Sequence, residues 1–141
     1  MPEAATLALG ISLAGEGLGP ALDRIEAFLV ARGAAEGVRY RTRLVLDELV
    51  ANLVAHGRFA GPPPPVRVVV TAGEAGVLLL LDDAAEPFDP RLAPDPPGPP
   101  SLAGDRLGGL GLPLVRRMAE IRGYRRLPQG WNRTELVIFG R

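Results

Sequence analysis

The segment from residue 44 to residue 57 constrains the fold most, because it places a polar stripe on an otherwise apolar helix. Glu48, Asn52 and His56 recur at every fourth position and therefore lie along one helix face. The aliphatic residues between them indicate that most of this helix is buried. An unpaired buried polar group costs roughly 2 kcal/mol or more. The stripe therefore predicts either polar contacts with neighbouring backbone or a cavity that holds a hydrated metal ion and a phosphate.

Length and composition narrow the class of protein. The 141 residues fit one domain, residues 1–141, and the hydrophobic fraction of 47% is sufficient for a core. Cysteine is absent, which excludes disulfides and thiolate metal sites, and a single histidine disfavours zinc. The net charge of +0 gives no argument for a nucleic-acid or anionic-membrane partner. Without a membrane-length apolar run or a visible secretory signal, we expect a soluble cytoplasmic protein.

All sixteen basic residues are arginine. The absence of lysine excludes a P-loop, which needs lysine on the phosphates, and also excludes Schiff-base chemistry. A bound nucleotide phosphate must therefore be held by backbone N–H groups, a metal ion or arginine.

Hydrophobic periodicity predicts an α+β fold. The predicted order is strand 6–13, helix 18–32, helix 38–56, strand 66–71, strand 77–82, helix 110–121, strand 124–127 and strand 133–139. This order favours a two-layer sandwich, with a mixed, mostly antiparallel sheet and helices on one face. The Pro-rich stretch 84–107 is long enough to indicate a functional or disordered loop. We expect the ligand to lie between this loop and the helices.

Two further segments carry candidate chemistry. Asp82 and Asp83 end an apolar strand, where a carboxylate can accept a hydrogen bond from the amine of adenine. Neighbouring strand residues point to opposite faces, so only one of the two faces a cavity, unless the pair simply ends the strand in a turn. Gly108, Gly109 and Gly111 open a helix, where free N–H groups suit phosphate. The alternative there is a flexible hinge before a packing helix.

In this order, the three segments resemble the nucleotide-binding boxes of the GHKL superfamily, which includes gyrase, heat-shock chaperones and histidine kinases. The nearest resemblance is to the anti-sigma-factor serine/threonine kinases of bacterial partner-switching systems. Residues 48–57 resemble the asparagine box, and residues 83–90 resemble the Asp-x-Gly box with its Pro-Phe-Asp-Pro ending. Residues 108–112 resemble the second glycine box, and residues 132–136 are similar to the last strand.

The resemblance implies a Bergerat-type (GHKL ATPase) fold that uses ATP and Mg²⁺. Glu48 would be the general base for a partner's serine or threonine hydroxyl, Asn52 would hold Mg²⁺, and Asp83 would read the adenine amine. Arg106 would neutralise the γ-phosphate, and residues 84–107 would form a flexible ATP lid. The other residues implied to contact the nucleotide are His56, Ala85, Phe88, Gly108, Gly109, Leu110, Gly111 and Leu112.

The implied activity is that of an anti-sigma factor that phosphorylates a STAS-type anti-anti-sigma protein and sequesters a sigma factor or similar client. A homodimer is also similar to what the family forms. Two departures favour an alternative, a non-catalytic sequestering module: the Pro-rich lid has little helical character, and Ala85 replaces the usual glycine, which costs on the order of 1 kcal/mol if φ is positive. A third reading is an ATPase or histidine-kinase-like fragment. Thr134 is a poor counterpart of the family's last-strand threonine, because Glu135 beside it points to the opposite face.

Overall fold

Alternating apolar residues produce strands that pair into an antiparallel sheet. The computed structural model describes residues 5–92 and 111–140, and within them the sheet has five strands in the order β1-β2-β3-β5-β4. The strands are β1 (Ala5–Ile11), β2 (Val66–Gly73), β3 (Gly76–Asp83), β4 (Glu120–Arg126) and β5 (Asn132–Phe139). All four neighbouring pairs are antiparallel.

Among the described residues, three helices accompany the sheet: α1 (Leu18–Ala31), α2 (Glu36–His56) and α3 (Gly111–Met118). Gly33 follows the C-terminal cap of α1, and its φ of 77° is the left-handed conformation that glycine adopts without strain. α2 packs against β3, β5 and the shorter α3. The helix spacing and the strand alternation bury one face of each element, and together these faces form the core: Leu22, Ile25, Leu29, Val45, Leu46, Val66, Val68, Val70, Leu79, Leu81, Leu136 and Ile138.

The β2–β3 hairpin turns tightly through two residues, Glu74 and Ala75, between the paired Gly73 and Gly76. Gly76 has a φ of 135°, and a Cβ added there would lie 2.1 Å from the Ile138 carbonyl oxygen. No larger residue fits at position 76 without moving the backbone. From here β3 runs through four consecutive leucines, residues 78–81, to the two aspartates that end it.

The predicted α+β two-layer fold is confirmed. All described strand pairs are antiparallel, so the mixed character that we allowed for the sheet is absent among them. The predicted helix 110–121 is too long, since α3 ends at Met118, and the predicted strand 124–127 begins too late, since β4 starts at Glu120. Ile121 explains both errors: it continues the helical spacing of Leu114 and Met118, but it pairs with Leu136 in the sheet.

Part of the predicted lid can be located. Residues 84–92 follow β3 as bends and a turn, whereas residues 93–107 lie outside the described residues. Across residues 5–92 and 111–140, none of the helices combines the length and the hydrophobicity needed to cross a bilayer.

Candidate functional site

A cavity of about 400 Å³ lies between the C-terminal half of α2, the end of β3 and the start of β5. Ligand sites of small molecules commonly have volumes of ~300–1,000 Å³. The cavity is lined on one side by α2 residues Leu49, Asn52, Leu53 and His56, and on the other by Asp83, Asn132 and Thr134. Residues 85–88 of the loop after β3 and Leu112 of α3 also line the cavity.

α2 brings two of the three stripe residues to the cavity. Asn52 and His56 line it, and Glu48 lies one turn earlier on the same face, about 6 Å along the helix axis. Glu48 is only 4% exposed and is not among the described cavity-lining residues. The helix ends at Gly57, where a Cβ would lie 2.6 Å from the Leu53 carbonyl oxygen. Glycine is thus required here because the backbone passes so closely.

The two aspartates at the end of β3 lie on opposite faces of the sheet. Asp83 lines the cavity, whereas Asp82 accepts two hydrogen bonds from the Arg133 guanidinium, both of 2.8 Å. Because neighbouring strand residues point to opposite faces, the Asp83 carboxylate faces the cavity and the Asp82 carboxylate forms a bidentate ion pair.

Asn132, at the start of β5, is paired with Asp83 in the sheet and joins three elements. Its Nδ2 donates to Asp83 Oδ1 at 2.9 Å, to the Ala85 carbonyl at 3.0 Å, and to the carbonyl of the next residue at 3.2 Å. Its Oδ1 accepts from the Tyr124 hydroxyl and, at 3.0 Å, from Arg126 Nη1. The end of β3, the loop after it and the edge strand β4 are thus connected through one buried amide.

The environment of Asp83 disfavours its charge. Burial, the largest effect, raises the pKa of its carboxyl above the ordinary value of 3.8, and the charge of Asp82 acts in the same direction. The hydrogen bonds from Asn132 and the Ala85 N–H oppose this rise in pKa, as does the positive charge of Arg126. A ligand that donates a further hydrogen bond to Asp83 would favour the ionised carboxylate, so this residue is suited to reading an amine.

The loop after β3 forms an apolar part of the cavity. Phe88 is 48% exposed and offers a ring surface, and Ala85 is buried at 5% exposure. Among the described residues, no residue other than glycine has a positive φ, so the strain that we considered for Ala85 does not occur. What distinguishes Ala85 from glycine is only its methyl group in the cavity lining.

The predicted phosphate-binding residues are described only in part. Gly111 and Leu112 begin α3, and Leu112 lines the cavity. Arg106, Gly108, Gly109 and Leu110 lie outside the described residues. Within the described part, Arg116 donates to the Pro90 carbonyl at 2.9 Å, which fixes α3 to the loop after β3.

The polar atoms at the cavity fit a magnesium ion that is bound mainly by water and phosphate. Across the part of the chain that the structure describes, His, Asp and Glu residues form no group of three able to hold a metal alone. Mg²⁺ prefers oxygen ligands and keeps several waters when it binds nucleotide phosphates. The amide oxygen of Asn52 would be the protein ligand of such an ion.

Two cavity residues of the last strand, Asn132 and Thr134, were given no role by the sequence motifs, and Thr134, which we had judged a poor counterpart of the family's threonine, does line the cavity. Their signal is the period-two alternation of β5, which places Asn132, Thr134, Leu136 and Ile138 on one face. The inner face of this strand changes from apolar to polar as it approaches the residue paired with Asp83. That change marks the end of the core and the start of the cavity.

The antiparallel sheet, the helix layer and a cavity between Asn52 and Asp83 define a GHKL-type nucleotide-binding domain. A comparison with known families supports this class directly, because the histidine kinase-like ATPase domain matches residues 11–138. The chain belongs to this family, and membership implies that it binds ATP.

The chain is also similar to a named protein kinase. The chain is 31% identical over 100 residues to the serine/threonine-protein kinase BtrW of Bordetella bronchiseptica (strain ATCC BAA-588 / NCTC 13252 / RB50), covering 71% of this chain and 70% of that protein. Together, the two matches confirm the resemblance to GHKL-type kinases and support a kinase-type activity.

Proposed function

We propose that this chain is an ATP- and Mg²⁺-dependent protein serine/threonine kinase that acts as an anti-sigma factor. In this proposal it sequesters a sigma factor or similar client, and it phosphorylates a STAS-type anti-anti-sigma protein, which releases that antagonist. The observation that carries the proposal is a cavity with Asn52 and Asp83 on opposite sides, in a chain similar to a serine/threonine kinase. The implied homodimer and cytoplasmic location stay predictions.

The cavity residues divide the work of binding. Asp83 accepts a hydrogen bond from the adenine amine, and Phe88 offers an apolar surface to the base. Asn52 would hold Mg²⁺, which supplies positive charge against the phosphates when bound. Leu112 lies where α3 begins, and the free N–H groups of a helix N-terminus favour phosphate.

In this proposal, Glu48 accepts the proton of the attacking hydroxyl. The serine or threonine oxygen forms a bond to the γ-phosphorus, and the bond from that phosphorus to the ADP oxygen breaks. The hydroxyl proton passes to the Glu48 carboxylate, and ADP leaves. The four-residue spacing of α2 puts the Glu48 carboxylate on the same helix face as Asn52, the proposed metal ligand.

The test is transfer of labelled γ-phosphate from ATP to the STAS-domain proteins encoded in the same genome. Glu48→Gln should bind ATP normally but lose phosphotransfer by roughly 100-fold or more, since a positioned base contributes about that factor. Asp47→Asn is the matched control, because it neutralises the adjacent carboxylate of the same helix and should keep full activity. Full phosphotransfer by Glu48→Gln would show that Glu48 is not the base.

The second candidate function is a sequestering module without catalysis. Its support is the Ala85 methyl group in the cavity lining, where the family usually has glycine. In that case, the chain would bind its client but transfer no phosphate to any STAS-domain protein. Ala85→Gly would then be expected to strengthen nucleotide binding, whereas an intact site would show little change.

A further inference from the structure

The Asn132 side chain has five hydrogen-bond partners among the described residues, one of its two N–H groups being shared between two acceptors. The chemistry proposed above uses none of these contacts. Asn132 is 2% exposed and lies where β5 borders the cavity. A buried amide with this many partners is held in one orientation, so its effect on its neighbours is fixed before any ligand arrives.

The partners determine which end of the amide faces Asp83. Two donors, the Tyr124 hydroxyl and the Arg126 guanidinium, face Oδ1, and three acceptors face Nδ2. A flipped amide would place its oxygen against a carboxylate and two carbonyls, and its N–H groups against a guanidinium. Only the observed orientation satisfies the network, and β4 therefore determines how Asn132 meets Asp83.

This orientation divides the two oxygens of Asp83. Oδ1 accepts from Asn132 Nδ2 at 2.9 Å and from the Ala85 N–H at 3.0 Å. Oδ2 accepts no hydrogen bond from any described residue. Every fully buried side-chain oxygen or nitrogen in the described part has a hydrogen-bond partner, so Oδ2 is not fully buried. Oδ2 is therefore open to the cavity that Asp83 lines.

We infer that Asn132 is a positioning residue for base recognition, which occupies one oxygen of Asp83 and so presents the other as a single acceptor in the cavity. Such a site favours a base with an exocyclic amine, as in adenine, over a base with a carbonyl there, as in guanine. This inference rests on the nucleotide site of the proposed function. It extends that site to a residue that would not itself touch the nucleotide.

The experiment is calorimetric titration of wild-type, Asn132→Leu and Asn132→Asp with ATP and with GTP, each in Mg²⁺. In Asn132→Leu, Asp83 is no longer held in one orientation, so its own hydrogen bond to the base weakens and ATP binding should fall by roughly 10-fold to 100-fold. GTP binding should change by less than about threefold, so the preference for ATP falls. Asn132→Asp keeps the shape of the side chain, and melting temperatures establish that each variant is folded.

The pH profile of ATP binding separates positioning from a purely structural role. Loss of the Asn132 hydrogen bond removes an effect that lowers the pKa of Asp83, so ATP affinity should fall at a higher pH in both variants than in wild-type. The titration of the ATP phosphates is the same for wild-type and both variants, so it cancels when the ATP affinity of a variant is divided by that of wild-type. Neither variant replaces the other ionisable groups near Asp83, which are Asp82, Tyr124, Arg126 and Arg133 beside it, and His56, Arg58 and Glu86 around the cavity. Asn132→Asp adds one carboxyl beside Asp83, so Asn132→Leu is the variant whose profile reports the lost hydrogen bond alone.

The network offers a milder second pair of variants. Arg126→Ala removes a donor to Asn132, whereas Arg125→Ala removes the adjacent arginine of β4, which is paired with Arg133. We expect a smaller loss of ATP preference for the first and none for the second.

The outcomes distinguish this inference from the proposed function. If wild-type binds neither nucleotide, both the nucleotide site and the role of Asn132 are wrong. If wild-type binds ATP, but folded Asn132→Leu and Asn132→Asp keep the wild-type ATP preference and pH profile, only the role of Asn132 is wrong. Loss of preference with a shifted profile supports the inference, whether or not the chain transfers phosphate.

Discussion

Replacing Asp83 by asparagine should exchange the base preference of the site. In Asp83→Asn, the side-chain oxygen can keep both hydrogen bonds that Oδ1 now accepts, from Asn132 and from the Ala85 N–H. The amide nitrogen then takes the place of Oδ2 and presents a donor to the cavity. This donor repels the amine of adenine and matches the carbonyl of guanine.

The magnitude follows from the loss of one hydrogen bond to a charged acceptor, about 1.5–3 kcal/mol, which is roughly 10-fold to 150-fold in affinity. We therefore expect ATP binding by Asp83→Asn to weaken by that factor while GTP binding strengthens. The free protein should also become more stable at pH 7, because folding raises the pKa of Asp83 and so disfavours its ionised form.

Asp82→Asn is the matched control, because it changes the adjacent aspartate on the opposite face. It weakens the bidentate pair with Arg133, so we expect a loss of about 1–3 kcal/mol in unfolding free energy and no change in ATP affinity. The assays are calorimetric titration with each nucleotide and chemical denaturation of the free proteins. If Asp83→Asn binds ATP within about threefold of wild-type, Asp83 does not read the base.

Three further outcomes can be measured with the same proteins and assays. The stability advantage of Asp83→Asn over wild-type should be absent below pH 3.8, grow between pH 3.8 and the raised pKa of Asp83, and stay constant above that pKa. An advantage that grows on acidification would contradict the burial effect. Asn52→Ala should abolish the Mg²⁺ dependence of ATP binding, and an unchanged dependence would remove Asn52 as the metal ligand. Gly76→Ala should lower the unfolding free energy by about 2 kcal/mol or more, because its φ is 135° and its Cβ meets the Ile138 carbonyl; Gly73→Ala, with open space around it, is the control.

The sequence was sufficient for features that depend on local spacing. The existence of α2, its end before Gly57 and the opposite orientations of Asp82 and Asp83 follow from helical or strand periodicity, whereas the start of α2 lies two residues before the predicted one. The expectation that the ligand lies between the helices and the Pro-rich loop was right for α2 and residues 85–88, but it left out the strands β3 and β5 that also line the cavity.

Features that depend on contacts between distant segments were not accessible in this way. Asn132 acquires its importance from Asp83, 49 residues earlier in the chain, and nothing local to β5 shows that pairing. The start of β4 was missed because Ile121 satisfies two periodicities, and only its pairing with Leu136 decides between them. The backbone of Ala85 also depends on its surroundings rather than on its type.

The four leucines and two aspartates of β3 have a consequence for the fidelity of folding. A slip of this strand by one residue would still place leucine on both faces and a carboxylate at the cavity, so hydrophobic burial alone barely distinguishes the two registers. The correct register must come from the ends of the strand. At the hairpin, only glycine fits the place of Gly76, and a shift by one residue would put a larger residue there. At the other end, Asp82 and Asp83 each bind a specific partner on β5. The contacts of Asp82 and Asp83 with β5, which also shape the cavity, thus fix the register of this strand.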